Sequence, residues 1–119
     1  MKNMKQSLLT VSYRLTGDNS AFRKKMEGAA TTIAATDGLL WKIWGLDLNQ
    51  GRGLSVYLFE DEAAADAFAE GPMIAALRCH PSVSNVVLDY AAVDRTLSLL
   101  SGAEPALSPR RHMPAENAA

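Results

Sequence analysis

The sequence predicts an α+β domain of order β-α-β-β-α-β, on three observations. Ser7–Leu15 alternates with period two, the stretch from Ala21 switches to three- and four-residue spacing, and a glycine-bearing turn joins two aromatic-rich apolar runs. That order is the ferredoxin-like split arrangement, a four-stranded antiparallel sheet with helices on one face.

In the first strand, Leu9, Val11, Tyr13 and Leu15 share one side, and Leu8, Thr10, Ser12 and Arg14 share the other. The turn Thr16–Ser20 holds a glycine and several helix-capping residues. Phe22, Met26, Ala30 and Ile33 then form the apolar stripe of a helix, with Arg23, Lys24, Lys25 and Glu27 outside it. Gly28 lowers helix propensity there by about 1 kcal/mol relative to alanine; close packing of helix on sheet is the expected reason. Thr36-Asp37-Gly38 ends the helix.

The runs LLWKIWGLDL (from Leu39) and GLSVYLFE (to Glu60) read as a hairpin closed by the polar turn NQGRG. Asp61 caps a second helix, Gly71-Pro72 interrupts it, and MIAALRC adds a short helical piece. A fourth strand begins after Pro81, and a last short helix is capped by Asp94. The domain is thus expected to span 1–101. Residues 102–119 hold three of the five prolines and little periodicity, which reads as a flexible C-terminal tail. Arg110, Arg111 and His112 form a small basic cluster within it.

Both sides of the predicted hairpin are apolar. Leu39, Trp41 and Ile43 oppose Leu40, Trp44 and Leu46 on one strand, and Leu54, Val56 and Leu58 oppose Tyr57 and Phe59 on the next. An open sheet with one wet side would show polar residues at alternate positions. Helices cover only one face, so a homodimer with sheets packed face to face is the expected solution.

Composition bounds the function. The 119 residues suit one domain, and 48% apolar with 21% charged is ordinary globular usage rather than that of a disordered chain. A net charge of -1 gives no electrostatic basis for binding nucleic acid or an anionic membrane. The single cysteine, Cys79, excludes an internal disulfide and fits a reducing compartment. No export signal or membrane-length apolar run is present, so a soluble cytoplasmic protein is expected. Neither histidine has metal-ligand spacing around it, Gly51-Arg52-Gly53 lacks the context of a phosphate loop, and no nucleophile elbow occurs, so no metal and no cofactor are expected.

The Trp-Lys-x-Trp strand, followed by Tyr-Leu-Phe-x-Asp-Glu, resembles the YdhR-like mono-oxygenase family of the dimeric alpha-beta barrel superfamily. The resemblance runs from about Leu8 to Leu99 and is densest between Gly38 and Phe68. It implies a ferredoxin-like dimer with a pocket between sheet and helices. The superfamily includes oxygenases that use neither metal nor flavin, and also isomerases, dehydratases, cyclases and haem-binding proteins, so fold carries over better than chemistry.

Cofactor-free oxygenation needs an electron-rich substrate, a dry aromatic cavity, a base, and a polar group that steadies negative charge. Trp41, Trp44, Phe59, Tyr13 and Tyr90 are the expected contacts for a small hydrophobic aromatic ligand. The two tryptophans face opposite ways, so one lines the pocket and the other packs in the core or dimer seam. His80 is the expected base, with Tyr57 and Arg78 as the catalytic hydroxyl and cation. Packing for the rings, and a surface junction for His80 and Arg78, are the plainer alternatives. Lys42 is read as a stem covering apolar surface with its ammonium in water. The leading function is a cofactor-independent mono-oxygenase acting on a hydrophobic aromatic or polyketide-like substrate. The alternatives are an acid–base isomerase, cyclase or dehydratase, and a ligand-binding dimer without turnover.

Overall fold

The computed structural model describes residues 5–17 and 19–107. Four strands, β1 (Ser7–Leu15), β2 (Leu39–Asp47), β3 (Arg52–Phe59) and β4 (Val83–Ala92), form one antiparallel sheet in the order β2-β3-β1-β4. Helices α1 (Asn19–Ala34), α2 (Glu62–Ala69) and α3 (Pro72–Cys79) supply the crossovers. The ferredoxin-like order predicted from period changes is therefore the order found.

The helix ends follow from capping chemistry. The Asp61 carboxylate accepts from the Ala64 N–H at 2.9 Å, and the Asp94 carboxylate from the Leu97 N–H at 2.9 Å. Each satisfies a donor that the first helical turn leaves unpaired. Pro72 occupies the first turn of α3, where no backbone donor is needed.

The helix-side core joins Leu9, Val11, Tyr13 and Leu15 of β1 to Phe22 and Ile33 of α1, Tyr57 and Phe59 of β3, and Phe68 and Ile74 of the second crossover. Phe22 and Phe59 are 1% and 0% exposed, and burial of such a ring stabilises the fold by about 1.5–3 kcal/mol. Alternation along β1 and β3 places these residues as the sequence pattern requires.

In β2 the alternation breaks. Leu39 pairs with Phe59 and Trp41 with Leu58, so Leu40 and Trp41 together oppose one residue. This β-bulge shifts the side-chain parity. Leu39, Lys42, Trp44 and Leu46 consequently share the helix side, while Leu40, Trp41 and Ile43 share the other. The uninterrupted pattern had grouped Leu39 with Trp41, and the bulge corrects that grouping. A second irregularity lies between Ser84 and Val87 in β4, where Asn85 adopts φ 55°. Asparagine tolerates this left-handed conformation better than most side chains do.

The face away from the helices is only partly covered. Helix α4 (Arg95–Leu100) and the turn α5 (Glu104–Leu107) fold back over one end of it. Leu107 is buried against Leu58 and Val93, beside Leu8, Leu40, Trp41 and Ala103. The Trp41 indole N–H donates to the Ala106 carbonyl, and the Gln6 side-chain amide donates to the Leu107 carbonyl at 3.0 Å. The sequence had placed a flexible end from Gly102, but residues up to Leu107 are held by these contacts. Arg110, Arg111 and His112 lie outside the described residues. Ile43 (60% exposed), Leu54 (47%) and Val87 (50%) remain open on the rest of that face. Among the described residues, no helix is long and apolar enough to cross a membrane.

Gly28 is not explained by close packing. A Cβ there would meet nothing within 4 Å, so the expectation of tight helix–sheet contact is corrected. Gly53 does carry a steric requirement. It pairs with Tyr13, and a Cβ at position 53 would lie 2.1 Å from Tyr13 Cζ. The ring thus lies over bare backbone. Gly53→Ala is expected to displace Tyr13 and cost about 1–3 kcal/mol in urea unfolding, whereas Gly28→Ala is expected to gain about 0.5–1 kcal/mol. Equal stability of Gly53→Ala and the parent would contradict this packing.

Candidate functional site

A cavity of about 340 Å³ lies between the helix side of the sheet and helices α1 and α3. That size is within the range of small-molecule pockets. β1 contributes Tyr13, β2 contributes Lys42 and Trp44, and β3 contributes Tyr57. Phe22, Met26 and Ile33 of α1, Phe68 of α2, and Met73, Ile74 and Leu77 of α3 make the apolar wall. His80 closes one end, and Lys25 and Gly28 border the cavity from α1.

The rings form a connected series. Phe22 lies 5.8 Å from Tyr13 and 5.3 Å from His80, the latter edge-on at 88°. Tyr57 sits 4.9 Å from Phe68 and stacks on Phe59 at 6.0 Å and 12°. Such offset and edge-to-face pairs add about 0.5–1.5 kcal/mol each beyond area burial. They fix the wall's shape before any ligand arrives.

Lys42 is the principal charged group in this wall. Its Nζ lies 3.2 Å from the centroid of the Trp44 ring and 4.6 Å from that of Tyr57. The ring faces favour the ammonium by about 0.5–2 kcal/mol, while loss of water disfavours it. Burial prevails and brings the amine from its ordinary value down to about 7. The Tyr57 hydroxyl moves the opposite way, raised by burial and further by nearby Tyr13, and burial raises Tyr13 too. At neutral pH the two phenols are therefore hydrogen-bond donors, and a substantial fraction of Lys42 is the free amine.

The His80 ring is oriented by its own loop. Its Nδ1 accepts from the Ser82 N–H at 3.1 Å. The neutral ring then carries its proton on Nε2 and presents a donor there.

Of the residues expected from sequence, the structure brings together Tyr13, Trp44, Tyr57 and His80. Trp41 points to the other face of the sheet. Phe59 is buried behind Tyr57, outside the cavity wall. Arg78 extends along the surface, with its guanidinium 3.4 Å from the Val86 carbonyl. Tyr90 is 48% exposed on edge strand β4 and does not line the cavity. Lys42 was assigned to solvent, yet its place on the Trp44 side of the strand was the available signal. A residue sharing a face with a cavity-lining ring enters the same cavity. Among the described residues, no cluster of three or more histidine, cysteine or acidic side chains is placed to hold a metal ion.

Comparison with known proteins agrees with this architecture. Residues 8–104 match the family described as "Putative mono-oxygenase ydhR", and the chain belongs to that family. Similar solved structures include a protein of unknown function from Nitrosomonas europaea, 20% identical over 77% of this chain and 92% of that one, with a TM-score of 0.64. SnoaB, a cofactor-independent oxygenase from Streptomyces nogalater, is 14% identical over 78% of this chain and 97% of its own, at 0.61. The heme-degrader MhuD from Mycobacterium tuberculosis, with two hemes bound in its active site, is 22% identical over 74% and 95%, at 0.57. No curated protein matches. At these identities the likeness to solved structures is one of fold.

Burial of Lys42 has a consequence for stability. Between about pH 7 and its ordinary value of 10.5, the unfolded chain binds more protons at this residue than the folded one. Its contribution therefore becomes more favourable as pH rises through that window, and its penalty is complete below 7. Lys42→Met is expected to be more stable than the parent at pH 7 in urea titrations, with the difference shrinking toward pH 10. A difference independent of pH would contradict the burial.

Proposed function

We propose that this protein is a cofactor-independent mono-oxygenase acting on a hydrophobic aromatic or polyketide-like substrate with an acidic phenolic or enolic site. The observation that carries the reading is an amine, Lys42 Nζ, held against Trp44 and Tyr57 in an aromatic cavity with phenolic donors beside it. Family membership and the fold shared with SnoaB support it.

In this reading the free amine of Lys42 removes the substrate proton. The resulting electron-rich anion reduces dioxygen by one electron, and recombination gives a carbon-bound peroxide. The Lys42 ammonium returns its proton to the outer peroxide oxygen. Loss of a second carbon-bound proton with cleavage of the O–O bond then yields a carbonyl and water. One oxygen atom ends in product and the other in water, so dioxygen is the sole oxidant. Tyr57 and Tyr13 donate hydrogen bonds to developing oxyanions within the mostly apolar cavity.

Lys42 thus takes the role that sequence reasoning gave to His80, and the Nε2–H of His80 serves as a donor to a substrate oxygen. The same tautomer disfavours a haem reading. Iron ligation needs the Nε2 lone pair, with Nδ1 as donor, whereas Nδ1 here accepts from Ser82. His80 as found does not suit that ligand.

We further infer that two copies pair through the open sheet face, since Ile43, Leu54 and Val87 leave an apolar surface that the C-terminal fold-back does not reach. Sedimentation at micromolar concentration is expected to give twice the chain mass, and Leu54→Lys to give one. A parent that sediments as a single chain would remove the dimer.

Activity with an anthrone or hydroquinone is expected to require dioxygen and to incorporate one labelled oxygen atom. Lys42→Met is expected to lower kcat by about 10²–10⁴-fold, and kcat/KM to rise through a limb near pH 7. Tyr57→Phe should lose less, and His80→Ala least. Turnover under anaerobic conditions would replace oxygenation with acid–base isomerisation.

A further inference from the structure

Lys42 differs in its surroundings from the other lysines among the described residues. Lys5, Lys24 and Lys25 are exposed, whereas Lys42 projects from β2 into a cavity walled by rings and methyl-bearing side chains. Burial is the sole cause of the shift at Lys42, with no carboxylate acting on its amine. Its neighbours within the wall are the faces of Trp44 and Tyr57. An amine kept away from water and from carboxylates retains a free lone pair at neutral pH, which is the condition for attack on a carbonyl carbon. Burial shifts its proton affinity in the same direction.

We propose that Lys42 is a carbonyl-reactive nucleophile that forms a reversible imine with hydrophobic aromatic aldehydes or ketones bound in the cavity. The Nζ lone pair adds to the carbonyl carbon, making a C–N bond, and one of the two amine protons passes to the carbonyl oxygen, which becomes a hydroxyl. Tyr57, whose ring centroid lies 4.6 Å from Nζ, can relay that proton, giving one up and taking one back. The hydroxyl then leaves with the second amine proton as water, with cleavage of the C–O bond, giving the C=N linkage. No oxidant or reductant enters, and hydrolysis reverses the sequence. The Trp44 and Tyr57 rings beside Nζ select flat, apolar carbonyl compounds over small polar ones. Such an imine draws electrons from the adjacent carbon and acidifies its C–H bonds, opening amine-assisted chemistry distinct from reaction with dioxygen. The inference rests on the cavity and on the position of Nζ, and not on the oxygenase reading.

The test is reductive trapping under anaerobic conditions. The intact protein is incubated with 2-naphthaldehyde and sodium cyanoborohydride at pH 7, digested, and its modified residues are mapped by mass spectrometry. The expected result is an adduct on Lys42 formed at least about 10-fold faster than on Lys25 or on the N-terminal amine, whose ordinary pKa is about 8. 2-Naphthylmethanol, which has the same ring and no carbonyl, is expected to slow Lys42 labelling and leave the others unchanged. Lys42→Arg, which has no primary amine there, should lose the naphthylmethanol-sensitive part of the labelling. Labelling spread over the exposed lysines, or a Lys42 rate insensitive to naphthylmethanol, would overturn the proposal. Excluding oxygen keeps the outcome separate from oxygenase activity, so either reading can fail while the other stands.

Discussion

The bulge at Leu40–Trp41 is the constraint on which the rest of the site depends. A regular strand beginning with Leu39 against the helices would send Trp41 and Ile43 inward and Lys42 and Trp44 to the outer face. Two residues opposite Leu58 reverse that arrangement after one position. Trp41 then turns outward, where its indole N–H meets the Ala106 carbonyl and helps hold the C-terminal fold-back. Lys42 and Trp44 turn inward, and the amine comes to rest over two aromatic rings. One irregularity therefore both furnishes the cavity and anchors its opposite side.

A cavity walled mostly by apolar side chains is expensive for a small domain, which has little core to spare. This chain meets the cost with rings that pack on each other. Tyr57 and Phe68 line the cavity and pack on Phe59 behind it, and Tyr13 lies over the bare backbone of Gly53. The cavity is thus bounded by side chains whose positions are fixed by one another. A preorganised wall of this kind lets an amine and two phenols act without moving at the moment of reaction.

Much of the fold was legible from residues alone. Alternation along Ser7–Leu15 gave the inward set Leu9, Val11, Tyr13 and Leu15, and Asp61 and Asp94 are caps as their positions suggested. The site was legible in part. Tyr13, Tyr57, Trp44 and His80 were singled out for their chemistry and do meet at the cavity. Lys42 was misassigned because exposure of a lysine is the ordinary expectation, and the pattern does not say that helix α1 would leave space above it. Trp41 and Leu39 were grouped together because a bulge has no signature in strict alternation. Leu107 was given to a flexible end because four residues of weak periodicity do not announce a binding face; the partner surface around Leu58 comes from distant sequence.

The central claim is that the Lys42 amine sits within the aromatic cavity and loses its proton near neutrality. Its most direct measurement is an NMR titration of the lysine side-chain Cε and Hε resonances, with Lys42→Arg used to assign the signal. A signal that is absent from Lys42→Arg, has a midpoint near pH 7 and is broadened or shifted by naphthylmethanol is the predicted result. A Lys42 midpoint at the ordinary lysine value of 10.5 would place the amine in water and contradict the account.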